Sequence, residues 1–495
     1  VRHWLTAILS LLIEKEIFVY GVVISVGSGV VTLQGFLMAF VGEVFRICTS
    51  ASPSDLLFRP FGLVVNLYRD ETMNLLIGAL LFNPSDRVSE GSKVNGISRL
   101  AVIILGDFAI GSIVDPVGSY VLGGTISAHK YGWLVESPAP GIIYRQSVFE
   151  PLQTGLISID SMVPIGRGQR ELIVGDRQTG KTSIGVDTII NQRYERVFCV
   201  YLPIGQKASS ILEVFLAFVR RDAIFYLSVL YASGSSSALG QFLCAYTGTA
   251  LSEFFMYLRE LPVFLMLDDL SKHAIAYREI YLLLRRPPGR EAYPGEIFFV
   301  HSRLLERSAK LSPKLGGGSL TAFPVIETLA SDVSAYITTN VISITDGQIF
   351  LSRSLFHAGV KPAVDVGLSV TRVGSAAQWS GIKLVSGSYK LELAQFVELQ
   401  SFAGFTSDLG KETLDRLARG RRLYEILKQS CGSPMNLRQQ VGILSLANQD
   451  LINCLAIDSV QLFVLRYLSV PVWLLLFVPA RLVGASLLGY CSSLK

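Results

Sequence analysis

The sequence predicts a multidomain α+β protein with an N-terminal β-barrel, a central α/β phosphate-loop domain and a C-terminal α-helical bundle. Residues 17 to about 90 alternate β-branched segments with glycines and hold few helix-length periodic runs, the texture of short strands in a small barrel or sandwich. From 91 to 372, apolar strands alternate with longer segments, as in a domain built on a parallel sheet. From 373 prolines are rare until Pro434, and Leu414, Leu417, Leu423 and Leu427 recur at helical spacing. The expected divisions are an N-terminal segment 1–16, a barrel 17–90, a nucleotide domain 91–372 and a helical domain 373–495.

The 495 residues are ample for several cores. Half are hydrophobic and 17% charged, with a net charge of +5 and scattered Arg and Lys, which speaks against nucleic acid as a partner. Six cysteines stand far apart with no C-x-x-C pair, so a zinc site or disulfide framework is not expected. Trp4–Ile13 reads as an amphipathic first helix. The run Ile17–Gly42 carries no charge for 26 residues, long enough to span a bilayer, but five glycines and many Val and Ile residues suit strands joined by turns better. The tail Tyr467–Ala480 is too short to span and contains Pro471 and Pro479, which suits a buried helix or a partner-facing surface.

Gly175–Thr182 reads GDRQTGKT and fits G-x-x-x-x-G-K-[ST] without mismatch. Gly175 and Gly180 let the backbone turn its N–H groups toward phosphate oxygens; Asp176, Arg177, Gln178 and Thr179 form the loop between them. Lys181 supplies a charge for the β- and γ-phosphates, and the Thr182 hydroxyl is a ligand for Mg²⁺. The flanks agree: Leu172–Val174 reads as a buried strand and Thr182–Gln192 as a helix facing the anion. Further core strands are expected at Val197–Leu202, Phe225–Leu230 and Val263–Leu267. The last ends in Asp268-Asp269, where α/β nucleotide-binding proteins hold the Mg²⁺ shell. Asp268 is the expected metal carboxylate, directly or through water; for Asp269 that role and capping of the next helix stand level.

Several longer stretches carry a resemblance. They are Gln153–Ser161 (QTGLISIDS), Pro164–Glu171 (PIGRGQRE), the phosphate loop, Asp268–Lys272 (DDLSK) and Leu283–Gly295 (LLRRPPGREAYPG). His301–Arg307 (HSRLLER), Asn340–Phe350 (NVISITDGQIF) and Arg372–Gln378 (RVGSAAQ) follow. Together they resemble the alpha-subunit family of the rotary F-type ATP synthases, closely from about 145 to 429, in texture only over the first 130 residues, and hardly at all in the last 60 or so residues. The resemblance implies a β-barrel, a RecA-like domain and a helical bundle, in the order read above. It implies a site that binds Mg²⁺ with ATP or ADP without turning ATP over. It also implies a proton-driven complex in which alpha and beta subunits alternate around a central rotor shaft (gamma), with peripheral stalk and delta subunits. Membrane contact would come through the complex, not through a span of this chain.

The resemblance assigns further roles residue by residue. Gln206 stands where beta-type sites place a glutamate that orients and deprotonates the attacking water; an amide cannot take the proton, so general-base help worth about 10²–10⁴-fold is missing. Arg372 resembles the arginine finger lent to a neighbouring beta site, and Ser369 a position needed for cooperation between sites. Lys361 replaces the usual arginine by the adenine pocket. Gln429 matches an adenine-contacting glutamine, while Cys431 replaces its partner, so weaker preference for ATP over GTP is expected. The stiff loop Arg286–Gly295 resembles the sleeve around the shaft. Gln206–Ser210, Phe255–Tyr257, Ala309–Ser312 and Val148–Gln153 look closer to plastid and cyanobacterial forms than to mitochondrial ones. They place the chain on the stromal face of a plastid thylakoid membrane, with the matrix face of the mitochondrial inner membrane as the alternative. Alternatives of other classes are a Rho-like RNA translocase, a catalytic beta-type or secretion-type ATPase, and a membrane-anchored protein resting on Ile17–Gly42 alone.

Overall fold

The computed structural model describes residues 19–27, 29–35, 39–48, 61–69, 75–82, 88–122, 131–403, 410–448 and 456–469. The expected first helix and most of the apolar tail lie outside these.

The first domain is a closed antiparallel barrel. Its strands follow the order Val19–Gly27, Val30–Gln34, Leu75–Leu81, Phe61–Arg69, Glu43–Cys48 and Lys93–Leu100. Val23, Val31, Leu33, Phe45, Ile47, Ile77 and Val94 fill its interior from alternate positions. The uncharged run from 17 is therefore a hairpin where described; Gly29, Gly35 and Gly42 take φ near +90° at its turns, a region open to glycine. Among the described residues no helix is long and apolar enough to cross a membrane. The division expected at 90 is corrected. Lys93–Leu100 closes the barrel by pairing with both Val19–Gly27 and Glu43–Cys48. Its sequence, KVNGISRL, is too polar and glycine-broken to read as a continuation of the apolar strands.

The central domain carries a mixed sheet whose core is parallel. Gly347–Leu351, Glu171–Gly175, Ser319–Glu327, Pro262–Asp268, Phe198–Gln206 and Leu227–Leu230 lie side by side in that order. The four expected core strands are present, with shifted ends. Residues 223–226 form a 3-10 turn ahead of Leu227, and the strand expected to stop at Leu202 continues to Gln206. The helix Ala238–Leu258 is buried on almost every side, as its largely apolar sequence without a polar face requires. Its start is capped by Ser237, whose hydroxyl accepts the Gly240 N–H at 3.2 Å.

From Ser380 the described residues form helices Ser380–Ser386, Tyr389–Ala403, Lys411–Leu427, Leu437–Asn448 and Ile457–Ser469. Leu423, Ile426, Ile443, Leu444, Phe463 and Tyr467 pack with residues under the central sheet in one continuous core. The helical domain is thereby fixed against the side of the sheet that carries the phosphate loop.

Candidate nucleotide-binding site

In a parallel sheet, ligands gather where the strands end at their carboxyl edge. Gly175, Asp268, Glu327 and Gln206 are all terminal residues of adjacent strands there. The chain turns from Gly175 into the helix Lys181–Asn191, with Gln178 at φ 62° and Gly180 at φ 91°. The left-handed turn at Gly180 aims the first N–H groups of the helix outward, toward an anion.

The loop residues divide into holders and contacts. Asp176 faces inward: its carboxylate accepts from the Thr328 hydroxyl at 2.8 Å and from the Ser331 N–H at 2.8 Å. Burial would raise its pKa, but these bonds outweigh burial and hold it below the usual carboxylate value. Thr179 closes the turn by donating to the Asp176 carbonyl at 2.9 Å. Arg177 is largely exposed and pairs with Glu327. The buried Lys181 ammonium donates to the Gly175 carbonyl at 2.8 Å and to that of Asp176. Burial depresses its pKa, opposed by Glu327, Asp269, Asp268 and Asp176.

The two aspartates expected at the metal corner separate cleanly. The Thr182 hydroxyl donates to Asp268 Oδ2 at 2.7 Å, and Tyr201 approaches the same oxygen at 3.3 Å. Asp269 caps the following helix, accepting the Lys272 N–H at 2.7 Å. Gln206 donates to the Asp268 carbonyl at 3.2 Å. A hydroxyl beside one carboxylate, both hard oxygens, fits Mg²⁺ completed by phosphate and water. Among the described residues no cluster of three His, Cys, Asp or Glu side chains forms a metal cage.

Beside the loop lies a cleft of about 110 Å³ lined by Leu156, Thr179, Gly180, Ile184, Phe356, Lys361, Gln429 and Cys431, among others. Lys361 and Gln429, distant in sequence, thus line one cleft with Thr179 and Gly180 of the phosphate loop. Lys361 Nζ lies 4.8 Å from the Phe356 ring centre, a cation–π contact. The Gln429 amide is fully engaged within the protein. It donates to the Gly155 carbonyl at 2.8 Å and the Ser433 carbonyl at 2.7 Å, and accepts from the Ile157 N–H at 3.3 Å. Gln429 therefore shapes the wall of the cleft, where Ser183, Ser430 and Cys431 add polar side chains. Sequence reasoning missed Asp187, Phe356 and Glu327. Asp187 lines the cleft, and its carboxylate accepts the Gly432 N–H at 2.7 Å. Burial raises its pKa to about 6.

Arg372 stands at the other end of the sheet. It follows the short strand Val370–Thr371, which pairs antiparallel with Gly347 and Gln348. Glu171 aligns with Gly347, and Gly175 with Leu351, so the arginine sits beside the opening of the strand whose far end carries the loop. That separation is about 13 Å along the strands. Arg372 is exposed, and its guanidinium has no ion pair or hydrogen bond among the described residues. Ser369 is buried and internally bonded: its hydroxyl donates to the Asp365 carbonyl and accepts the Phe350 N–H at 3.0 Å. These bonds tie its segment to the strand Gly347–Leu351.

These features define a phosphate-loop nucleotide-binding protein with a barrel before the nucleotide domain and a helical domain behind it. Residues 155–371 match the nucleotide-binding domain of the ATP synthase alpha/beta family, and residues 378–470 match its C-terminal domain. The chain belongs to the ATP synthase alpha/beta family, which supports a nucleotide-binding subunit of an F-type ATPase.

Proposed function

We propose that this chain is the non-catalytic, alpha-type subunit of a proton-translocating ATP synthase. It holds Mg²⁺ with ATP or ADP at its own site and lends Arg372 to the catalytic site of a neighbouring beta subunit. The observation that carries the reading is the placement of Arg372, exposed, without a partner among the described residues, and a sheet's length from its own phosphate loop. A guanidinium so placed cannot serve the nucleotide of its own chain, whereas across an interface it neutralises charge on a transferring phosphoryl group.

At its own site the chain's residues bind and orient. Lys181 and the loop N–H groups receive phosphate oxygens, and Thr182 with Asp268 holds the cation, which supplies charge neutralisation when bound. Gln206 reaches the same corner with an amide, which can hold a water but cannot accept its proton. This disfavours a catalytic beta-type or secretion-type reading. The purified chain should bind ATP without steady turnover; sustained hydrolysis abolished by Lys181→Ala would overturn the reading.

The partners follow from it: beta subunits alternating with this chain in a ring, the rotor shaft within, and peripheral stalk and delta subunits outside. The loop Arg286–Gly295, closed by a 2.8 Å bond from the Gly289 N–H to the Tyr293 carbonyl, is the part offered to the shaft. The plastid-like stretches support the stromal face of the thylakoid membrane over the mitochondrial inner membrane. Co-fractionation of the chain with thylakoids, and its release as a peripheral protein by a low-salt wash, would test this.

A further inference from the structure

The base of Arg372 is held by an unusually complete polar clamp. Its backbone N–H donates to the Asp346 carbonyl at 2.8 Å. The Asp346 carboxylate is gripped by the Arg170 fork, with Nη2 to Oδ1 at 2.8 Å and Nε to Oδ2 at 3.0 Å. The Arg170 backbone N–H also reaches Oδ2 at 3.0 Å, and the Asp346 N–H returns to the Arg170 carbonyl at 2.9 Å. Arg170 is braced in turn by Glu306, which pairs with Arg145 at 3.1 Å. One residue before the finger, the Thr371 hydroxyl accepts from the Gln169 amide at 2.9 Å. Residues 169 and 170 directly precede the strand that carries the phosphate loop.

Val373 and Ala376 border a cavity of about 370 Å³ shared with Arg170, Asp346 and Lys310. The clamp reaches Arg372 through its backbone, at the edge of that cavity. A bidentate guanidinium–carboxylate pair fixes both distance and plane, which a lone charge contact does not.

We propose that Asp346 and Arg170 are positioning residues for the arginine finger: their forked pair sets the register of the Thr371–Arg372 backbone and so the reach of the guanidinium into the neighbouring site. This rests on the reading of Arg372 given above. Neither side chain touches the reacting atoms; they act through the backbone of residue 372. Displacement of a catalytic group by about 1 Å costs up to about 10²-fold in rate.

The test uses the assembled catalytic complex. Asp346→Asn, which keeps shape and removes the charge that orients the fork, should lower kcat for multisite ATP turnover by roughly 10- to 100-fold. KM and nucleotide binding at this chain's own site should change little. In an Arg372→Ala background the same substitution should cause no further loss, because there is no guanidinium left to misplace. An equal loss with and without Arg372 would show a general structural role and overturn the proposal, as would unchanged turnover in Asp346→Asn. If Asp346→Asn fails to assemble, Arg170→Lys provides the same comparison, since it keeps the charge and loses the fork. Unchanged turnover in Arg372→Ala itself would instead remove the finger reading, an outcome separate from failure of the clamp alone.

Discussion

The two ends of the strand Glu171–Gly175 are built on opposite principles. At the carboxyl end nearly every polar group has an internal partner: Lys181 on loop carbonyls, Thr182 on Asp268, Asp176 on Thr328 and Ser331, and Gln429 on three backbone groups. At the amino end the polar groups around Arg372 are just as heavily bonded, yet the arginine they support points to solvent without a partner among the described residues. Such an arrangement fits the first end for keeping a ligand and the second for giving a charge away. A buried, saturated network resists change, while a free guanidinium on a rigid base is ready for an anion on another molecule.

Arg372→Lys tests that division most severely. It keeps the charge and loses the planar fork, and turnover of the assembled complex is expected to fall by about 10³-fold or more. Nucleotide binding at this chain's own site, measured by calorimetry, should be unchanged. Parallel loss of that binding would mean that the two ends are not separate devices. Lys181→Ala is the converse and the next largest effect. Removing the ammonium that faces the β- and γ-phosphates should weaken ATP binding at the own site by about 10²-fold, equivalent to about 2.7 kcal/mol. The Arg372 segment, lacking any contact with Lys181, should stay in place.

Much of this division was legible in the sequence, and the illegible part has a common cause. The phosphate loop, the strand ending at Asp268 and the glutamine at 206 lie in short contiguous patterns whose chemistry is local. The barrel was legible as texture, but its closing strand was not, because Lys93–Leu100 spreads few apolar side chains among Lys, Asn, Gly, Ser and Arg. The roles of Asp187 and Asp346 were not readable at all. Their partners, Gly432 and Arg170, are remote in sequence, and a lone carboxylate carries no mark of what it will hold. The exposure of Arg372 follows from the register of a two-residue strand, which no propensity specifies.

The base cleft gives a smaller effect. With the Gln429 amide spent on the backbone, the cleft offers a base mainly apolar walls, with Lys361 held over Phe356 and the weakly hydrogen-bonding thiol of Cys431. ATP and GTP should therefore bind with affinities within about tenfold of each other, the value of one missing hydrogen bond. Cys431→Gln supplies an amide able to read a base edge and should widen the preference for ATP by a similar factor. Competition titrations against a fluorescent nucleotide would measure both; a strong ATP preference in the unaltered protein would show that another group reads the base.

The smallest expected effect concerns the clasp behind that cleft. Burial raises the Asp187 pKa from 3.8 to about 6, with the Gly432 N–H and the Arg221 charge pulling the other way. The folded state thus holds this proton more tightly than the unfolded chain does. The stabilisation is complete below about pH 4 and is lost as pH rises through about 6. The buried pair His273 and His301, 3.3 Å apart, acts in the opposite sense. Burial depresses the His273 pKa to about 4, so its contribution is present above about 6.5 and is lost as pH falls through 4. The two slopes oppose each other in the same interval, which should leave a shallow pH dependence of thermal stability. Asp187→Asn keeps an acceptor for the Gly432 N–H and removes only the first slope. Its melting temperature should therefore fall more steeply than that of the unaltered chain as pH drops from 6 to 4. Turnover at the neighbouring site should be untouched, since the clasp belongs wholly to the end of the sheet that holds the nucleotide. A turnover defect in Asp187→Asn comparable with that of Asp346→Asn would join the two ends into one device and undo the contrast between them.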